Sequence, residues 1–143
     1  MIIKKTDNLL SAKKKKQKVI TEAQRKQYQH ELSNWIKKYG KKVLEKGPEM
    51  VDVSLTGNLI VLTITNYLSK YEKFIIETDS SGITSLKESR LNADLAIIRS
   101  GELDRHIEEV LNVEVTGHMF DALLEDEFSL WIILLDTSFI TQI

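Results

Sequence analysis

Three histidines and 21 carboxylates are the side chains of this 143-residue chain whose spacing could make a metal or acid–base site. His106 precedes Glu109 by three residues and His118 precedes Asp121 by three, so each pair could offer a cation two ligands. A zinc site needs three or four converging ligands, and His30 stands apart, so the pairs predict surface residues and no metal. The chain has no cysteine, which excludes thiolate ligands, thiol nucleophiles and disulfides. A serine or threonine nucleophile would need a base beside it. No Gly-x-Ser-x-Gly elbow frames one, and no histidine is locally paired with one. Gly57 stands alone, so there is no glycine-rich phosphate loop either. These residues predict a protein without a cofactor and without a catalytic centre.

Charge is the other chemical resource. Residues 1–48 carry 14 Lys/Arg against 4 Asp/Glu, a net of +10, and residues 49–143 carry 6 against 17, a net of −11. Lys13, Lys14, Lys15, Lys16 and Lys18 form a basic segment that could neutralise nucleic-acid phosphates or anionic lipid headgroups. No aromatic side chain is interleaved with them and no recognition helix accompanies them. A solvated tail beside an acidic domain fits equally well. The acidic clusters Glu108-Glu109, Glu114 and Glu125-Asp126-Glu127 have two matching readings, a surface for a basic partner or solvated loops. Arg90 falls among apolar helical positions, where a salt bridge to Glu72 or Asp121, fastening helix to sheet, is preferred to an anion site. Trp35 and Trp131 lie on apolar faces and belong to a core or an interface.

The elements that must position these groups follow from periodicity. Residues 1–18 predict a disordered or frayed basic leader, because the lysines repel one another and little apolar surface holds them. Residues 19–143 predict one domain. Thr21 and Gln24 fit a capping box, and Tyr28, Leu32, Trp35, Ile36, Tyr39 and Val43 recur on one helical face. Gly47 and Pro48 predict the stop. Val51 to Thr56 alternates as a strand, Gly57-Asn58 suits a two-residue hairpin turn, and Leu59 to Thr65 is the return strand, central in the sheet. Ser69 and Glu72 form a second capping box. Asp79 to Gly82 interrupts the following helix, and Ser100-Gly101 breaks residues 83–111. Val113 begins a third strand, Asp121 to Glu127 connects, and Phe128 to Leu135 is a fourth. The expected fold is two-layer α+β, a four-stranded, largely antiparallel sheet packed by helices in the order α-β-β-α-α-β-β.

Taken in order, these pieces resemble the MpsC family, named for a sodium-translocating, membrane-potential-generating system. The resemblance rests on a helix running into Gly47-Pro48, then Gly57-Asn58, then Leu68-Ser69 with Glu72 entering the next helix. It extends through Arg90, the Asn112-Val113 junction, Asp121 and the strand at Phe128, covering roughly residues 22–135. Ser69 replaces the family's more frequent threonine and Asn112 its glycine; serine caps as well, and asparagine tolerates positive φ. The resemblance implies a cytosolic accessory to a membrane system for cation flux or dissolved inorganic carbon uptake. It carries over no catalytic residue.

Three further expectations come from the apolar runs. The longest are Leu59 to Leu62 and Leu130 to Leu135, far short of the ~20 residues that cross a bilayer. The first 17 residues lack the pattern of a signal peptide, so a cytoplasmic protein is expected, at most peripheral at the inner face of the membrane. Both runs are apolar on two faces, which predicts that part of the second sheet face is covered by another subunit or by the first helix. The apolar runs thus make a second copy of the chain an expected partner, and the resemblance implies membrane transport components as the others.

Overall fold

The computed structural model describes residues 1–4, 16–44 and 50–142. Its elements are β1 (Ile2–Lys4), β2 (Lys16–Thr21), α1 (Glu22–Leu44), β3 (Met50–Thr65), α2 (Lys70–Thr78), α3 (Ser80–Ser100), α4 (Glu102–Leu111), β4 (Val115–Leu123) and β5 (Phe128–Gln142), with a 3-10 turn at Leu124–Asp126. Gly47 and Pro48, the expected stop of α1, and Lys13, Lys14 and Lys15 lie outside the described residues.

The helix boundaries follow their caps. Thr21 Oγ1 accepts the Gln24 amide at 3.1 Å while Gln24 Oε1 accepts the Thr21 amide at 2.9 Å. That reciprocal pair supplies two of the orphan donors at the start of α1. Ser69 and Glu72 repeat the device at α2, at 3.1 and 3.2 Å. Asp79, in extended backbone, ends α2 and caps α3. Gly101, at φ 72°, ends α3 in the left-handed conformation and admits α4, a backbone state open to glycine without a Cβ clash. Asn112, at φ 54°, closes α4.

The sheet is five-stranded and mixed, where the sequence predicts four largely antiparallel strands. β5 is its centre. It pairs antiparallel with β3 and β4, and its C-terminal half, Thr137 to Gln142, runs parallel to β2. β1 pairs antiparallel with the outer side of β4. Two pieces of the predicted leader are thus strands, since Ile3 on β1 and Ile20 on β2 both reach the core. Leu59 to Thr65 is not central; among the described residues it pairs with β5.

The expected hairpin at Gly57-Asn58 is absent. β3 runs on as one strand, and the register jumps from Gly57 opposite Phe139 to Leu59 opposite Leu134. A two-residue type I′ turn needs positive φ at both central residues. Only Gly57 has it, at 57°, so the chain bulges and bends instead of reversing. β4 starts at Val115, later than expected, and β5 continues to Gln142 beyond the predicted Leu135.

The four helices among the described residues cover one sheet face. Leu32 and Ile36 of α1, Ile97 of α3, and Leu103, Ile107 and Leu111 of α4 pack with Ile60, Leu62, Trp131 and Ile133 in the main core. A smaller cluster of Tyr67, Leu68 and Leu124 lies under α2 with Ile64 and Ala122 of the same face. The first helix therefore does not cover the second face. Val43, expected on the buried side of α1, is 45% exposed.

Candidate functional site

The motif residues converge on one corner, where the loop after β3 meets α2 and α3. Asn66, at φ 55°, turns the chain out of β3, and Tyr67 and Leu68 then drop into the small core. Glu127, at φ 47°, accepts the Leu68 amide at 3.2 Å and lies 3.5 Å from Lys73 Nζ. Ser69 opens α2 and Glu72 completes the cap. Arg90, one helix away, places Nη2 at 3.0 and 2.9 Å from both Glu72 oxygens, with side chains only 18% and 21% exposed. Its guanidinium lies over the Tyr67 ring, 5.0 Å from the centroid, a cation–π contact as well as an ion pair. Of the two partners expected for Arg90, the structure selects Glu72. Burial pushes the Glu72 carboxyl up, but the Ser69 amide and the Arg90 charge outweigh it and hold the carboxyl below its usual range. Ser69, Glu72 and Arg90 form a clamp between helices, with their bonding capacity directed at one another.

Behind the clamp lies a cavity of about 80 Å³ between the helices and the sheet, bounded by Ile36, Leu62, Ile97 and Trp131 and edged by Tyr67, Arg90 and Asp94. Small-molecule sites run to roughly 300 Å³ and more, so this space suits a few waters. Burial pushes the Asp94 carboxyl up to about 6, against the opposing pull of Arg90. A shallow groove of about 320 Å³ adjoins it, edged by Lys87, Arg90, Asp94 and Asp121.

A second polar group lies in the core itself, and sequence reasoning missed it. Trp131 Nε1 donates to His118 Nδ1 at 3.0 Å, and His118 Nε2 lies 2.9 Å from Asp104 Oδ1. An indole N–H only donates, so Nδ1 must accept and the neutral imidazole carries its proton on Nε2, facing the carboxylate. His118 is fully buried, Asp104 2% exposed and Trp131 5% exposed. Shielded from solvent on every side, the trio works as a structural network that fixes β4, β5 and α4. One sequence signal pointed to it: Asp104 precedes Ile107 and Leu111 by three and seven residues, in phase with the apolar face of α4. His118 thus pairs with Asp104, not with the neighbouring Asp121.

His106 also has a different partner from the one its spacing offered. It stacks on Trp35 at 4.4 Å, and Trp35 stacks on Tyr39 at 4.8 Å. Burial lowers the His106 pKa even though Glu31 and Glu109 pull it upward. Among the described residues no three histidine or carboxylate side chains converge to hold a metal ion.

The remaining motif positions are structural or exposed. Gly57 and Asn58 lie at the register shift of β3, where Gly57 has positive φ, and Leu68 is buried at 1% exposure. Asp121 is exposed on β4, its carboxylate accepting the Ala122 amide. Two members of the basic segment are engaged inside the domain: Lys16 Nζ lies 3.5 Å from Asp136, and Lys18 Nζ donates to the Leu111 carbonyl at 3.2 Å. The latter contact complements the carbonyl end of α4.

The sheet face turned away from the described helices carries exposed apolar side chains. Ile2, Met119, Ile132 and Val61 form one row across four strands by the strand register. Ile2 is 62% and Met119 37% exposed. A depression of about 290 Å³ lies there, lined by Ile2, Met119, Leu130 and Ile132. No helix among the described residues is long and apolar enough to cross a membrane.

No curated protein and no solved structure matches the chain. The family model described as the Na+-translocating membrane potential-generating system (MpsC) matches residues 24–137, most of the 143 residues, and the chain belongs to that family.

Proposed function

We propose that the protein serves a Na+-translocating, membrane-potential-generating system as a non-enzymatic accessory at the cytoplasmic side, docking on its membrane-embedded components. The family match over residues 24–137 carries this reading. The internal bonding of Ser69, Glu72 and Arg90 agrees with it, because the side chains that recur in the family motif hold helices together instead of facing a substrate. Support of dissolved inorganic carbon uptake is the finer form of the same proposal.

Isolation of the tagged chain from mild-detergent extracts at native expression tests it. Co-recovery of membrane transport subunits is expected. Recovery of the chain without any membrane component contradicts the accessory role.

The basic segment supports a weaker second reading, contact with nucleic acid or anionic lipid. Two of its five lysines, Lys16 and Lys18, already have partners within the domain. Vesicle flotation that depends on anionic lipid, and that disappears on neutralising Lys13, Lys14 and Lys15, would favour the lipid form. A salt-sensitive gel shift lost in the same variant would favour nucleic acid.

A further inference from the structure

The open face of the sheet has a symmetry that its apolar character alone does not require. The row Ile2–Met119–Ile132–Val61 runs across the strands. One row to either side on β5 stand Leu134 and Leu130, level with Gly117 and Asp121 of β4. Lys4 of β1 stands in the Gly117 row. On β1 and β4 the face thus carries one cation and one anion, Lys4 and Asp121, displaced in opposite directions from an apolar midline; Asp136 of β5, two rows from the midline on the same face, is already met by Lys16. Neither Lys4 nor Asp121 forms an ion pair among the described residues.

We propose that two copies of this chain pack these faces together about a two-fold axis lying along the Ile2–Met119–Ile132–Val61 row. Rotation about that line lays the row on itself and exchanges the rows beside it. Leu130 of one copy then faces Leu134 of the other. Asp121 of one copy comes over Gly117 of the other, beside Lys4 of that copy in the same row one strand away, and the symmetry makes the pair twice. Stacked sheets lie about 10 Å apart, a gap that apolar side chains from both faces fill and a lysine stem crosses. Gly117, without a side chain, leaves space beside Lys4 in that row. The contact is isologous and closed, so it produces a dimer and not a filament. An anionic lipid surface would repel Asp121. An apolar helix from another protein would bury part of the midline and leave both charges without a counterpart. A second copy satisfies the row and both charges at once. This inference is independent of the membrane role, since either could hold without the other.

Sedimentation of the full chain tests it. The wild type is expected to be dimeric at concentrations of about 10 μM, an ordinary affinity for a specific interface. Met119→Lys sets like charges against each other on the axis and should raise the dimer dissociation constant at least ~100-fold, with the far-ultraviolet circular dichroism unchanged. Ile2→Lys, at the more exposed end of the row, should do the same, and serves if Met119→Lys misfolds. Asp121→Lys should weaken the dimer about tenfold, and adding Lys4→Asp in the same chain should restore it. A wild-type monomer at about 100 μM, or a dimer indifferent to both lysine variants, would overturn the proposal. A dimer broken by Met119→Lys but not rescued by the charge exchange would overturn the two-fold arrangement. A monomer that binds vesicles or a membrane subunit through this face would replace it with another occupant.

Discussion

Glu72 serves two masters, as a cap for the Ser69 amide and as the partner of Arg90, and substitution can separate the roles. Glutamine at the same position still completes a capping box, so Glu72→Gln is expected to cost about 1 kcal/mol. Arg90→Met strands a largely buried carboxylate and should cost about 1–3 kcal/mol. Urea titrations of both variants check the order; equal losses would mean that the cap and the ion pair are not separate contributions. Asp94 adds a pH dependence. Its carboxyl titrates at about 6 in the fold against an ordinary 3.8. The folded state therefore holds the proton that the unfolded chain has lost, and stability falls as pH rises from about 4 through about 6. The shift of roughly two units corresponds to about 3 kcal/mol at most. Asp94→Asn should stabilise the protein at pH 8 by about 1–3 kcal/mol and change little at pH 4. Thermal melts at the two values decide it; the same gain at both would show that the carboxyl is not titrating. The Arg90–Glu72 pair was legible in the sequence because a cation interrupted an apolar helical pattern near a recognisable cap. Asp104 and His118 were not, because burying such a pair depends on how α4 lies against β4, which local spacing does not reveal.

At the scale of elements, caps were the legible part. Thr21, Ser69, Asp79 and Gly101 mark helix ends where their chemistry indicated. Gly57-Asn58 misled because a glycine with positive φ serves a turn and a bulge equally well, and only pairing with β5 separates them. β1 and β2 were hidden by the lysines around them. Three and six residues of strand gain little from local propensity and are held by their neighbours, a tertiary effect. Two glycine substitutions probe these elements differently. A Cβ at Gly57 would meet nothing nearer than Ser138 Oγ at 3.7 Å, so Gly57→Ala should cost only its backbone strain, about 1–2 kcal/mol. A Cβ at Gly117 would lie 2.8 Å from the Ile3 carbonyl. Gly117→Ala should therefore push β1 from β4, with amide exchange quickened at Ile3 and Lys4 and unchanged along β5. Uniform quickening throughout the sheet would refute that local account.

At the scale of the molecule, four helices among the described residues cover one face of the sheet and none of them covers the other, which has an apolar midline. The double-faced apolar run of β5 was legible in the sequence, with Ile132 and Leu134 on the face away from the helices, whereas the position of α1 over the same face as its fellows could be learned only from the packing. The family assignment sets the larger frame, a chain that serves a Na+-translocating, potential-generating system. That claim is tested most directly by the membrane potential of living cells, followed with a potential-sensitive dye in sodium medium with and without the gene. Loss of the gene should depolarise the cells, and re-expression of the chain should restore the potential. An unchanged potential in the deletion strain, with the remaining components of the system present and no second copy of the gene, would contradict the account.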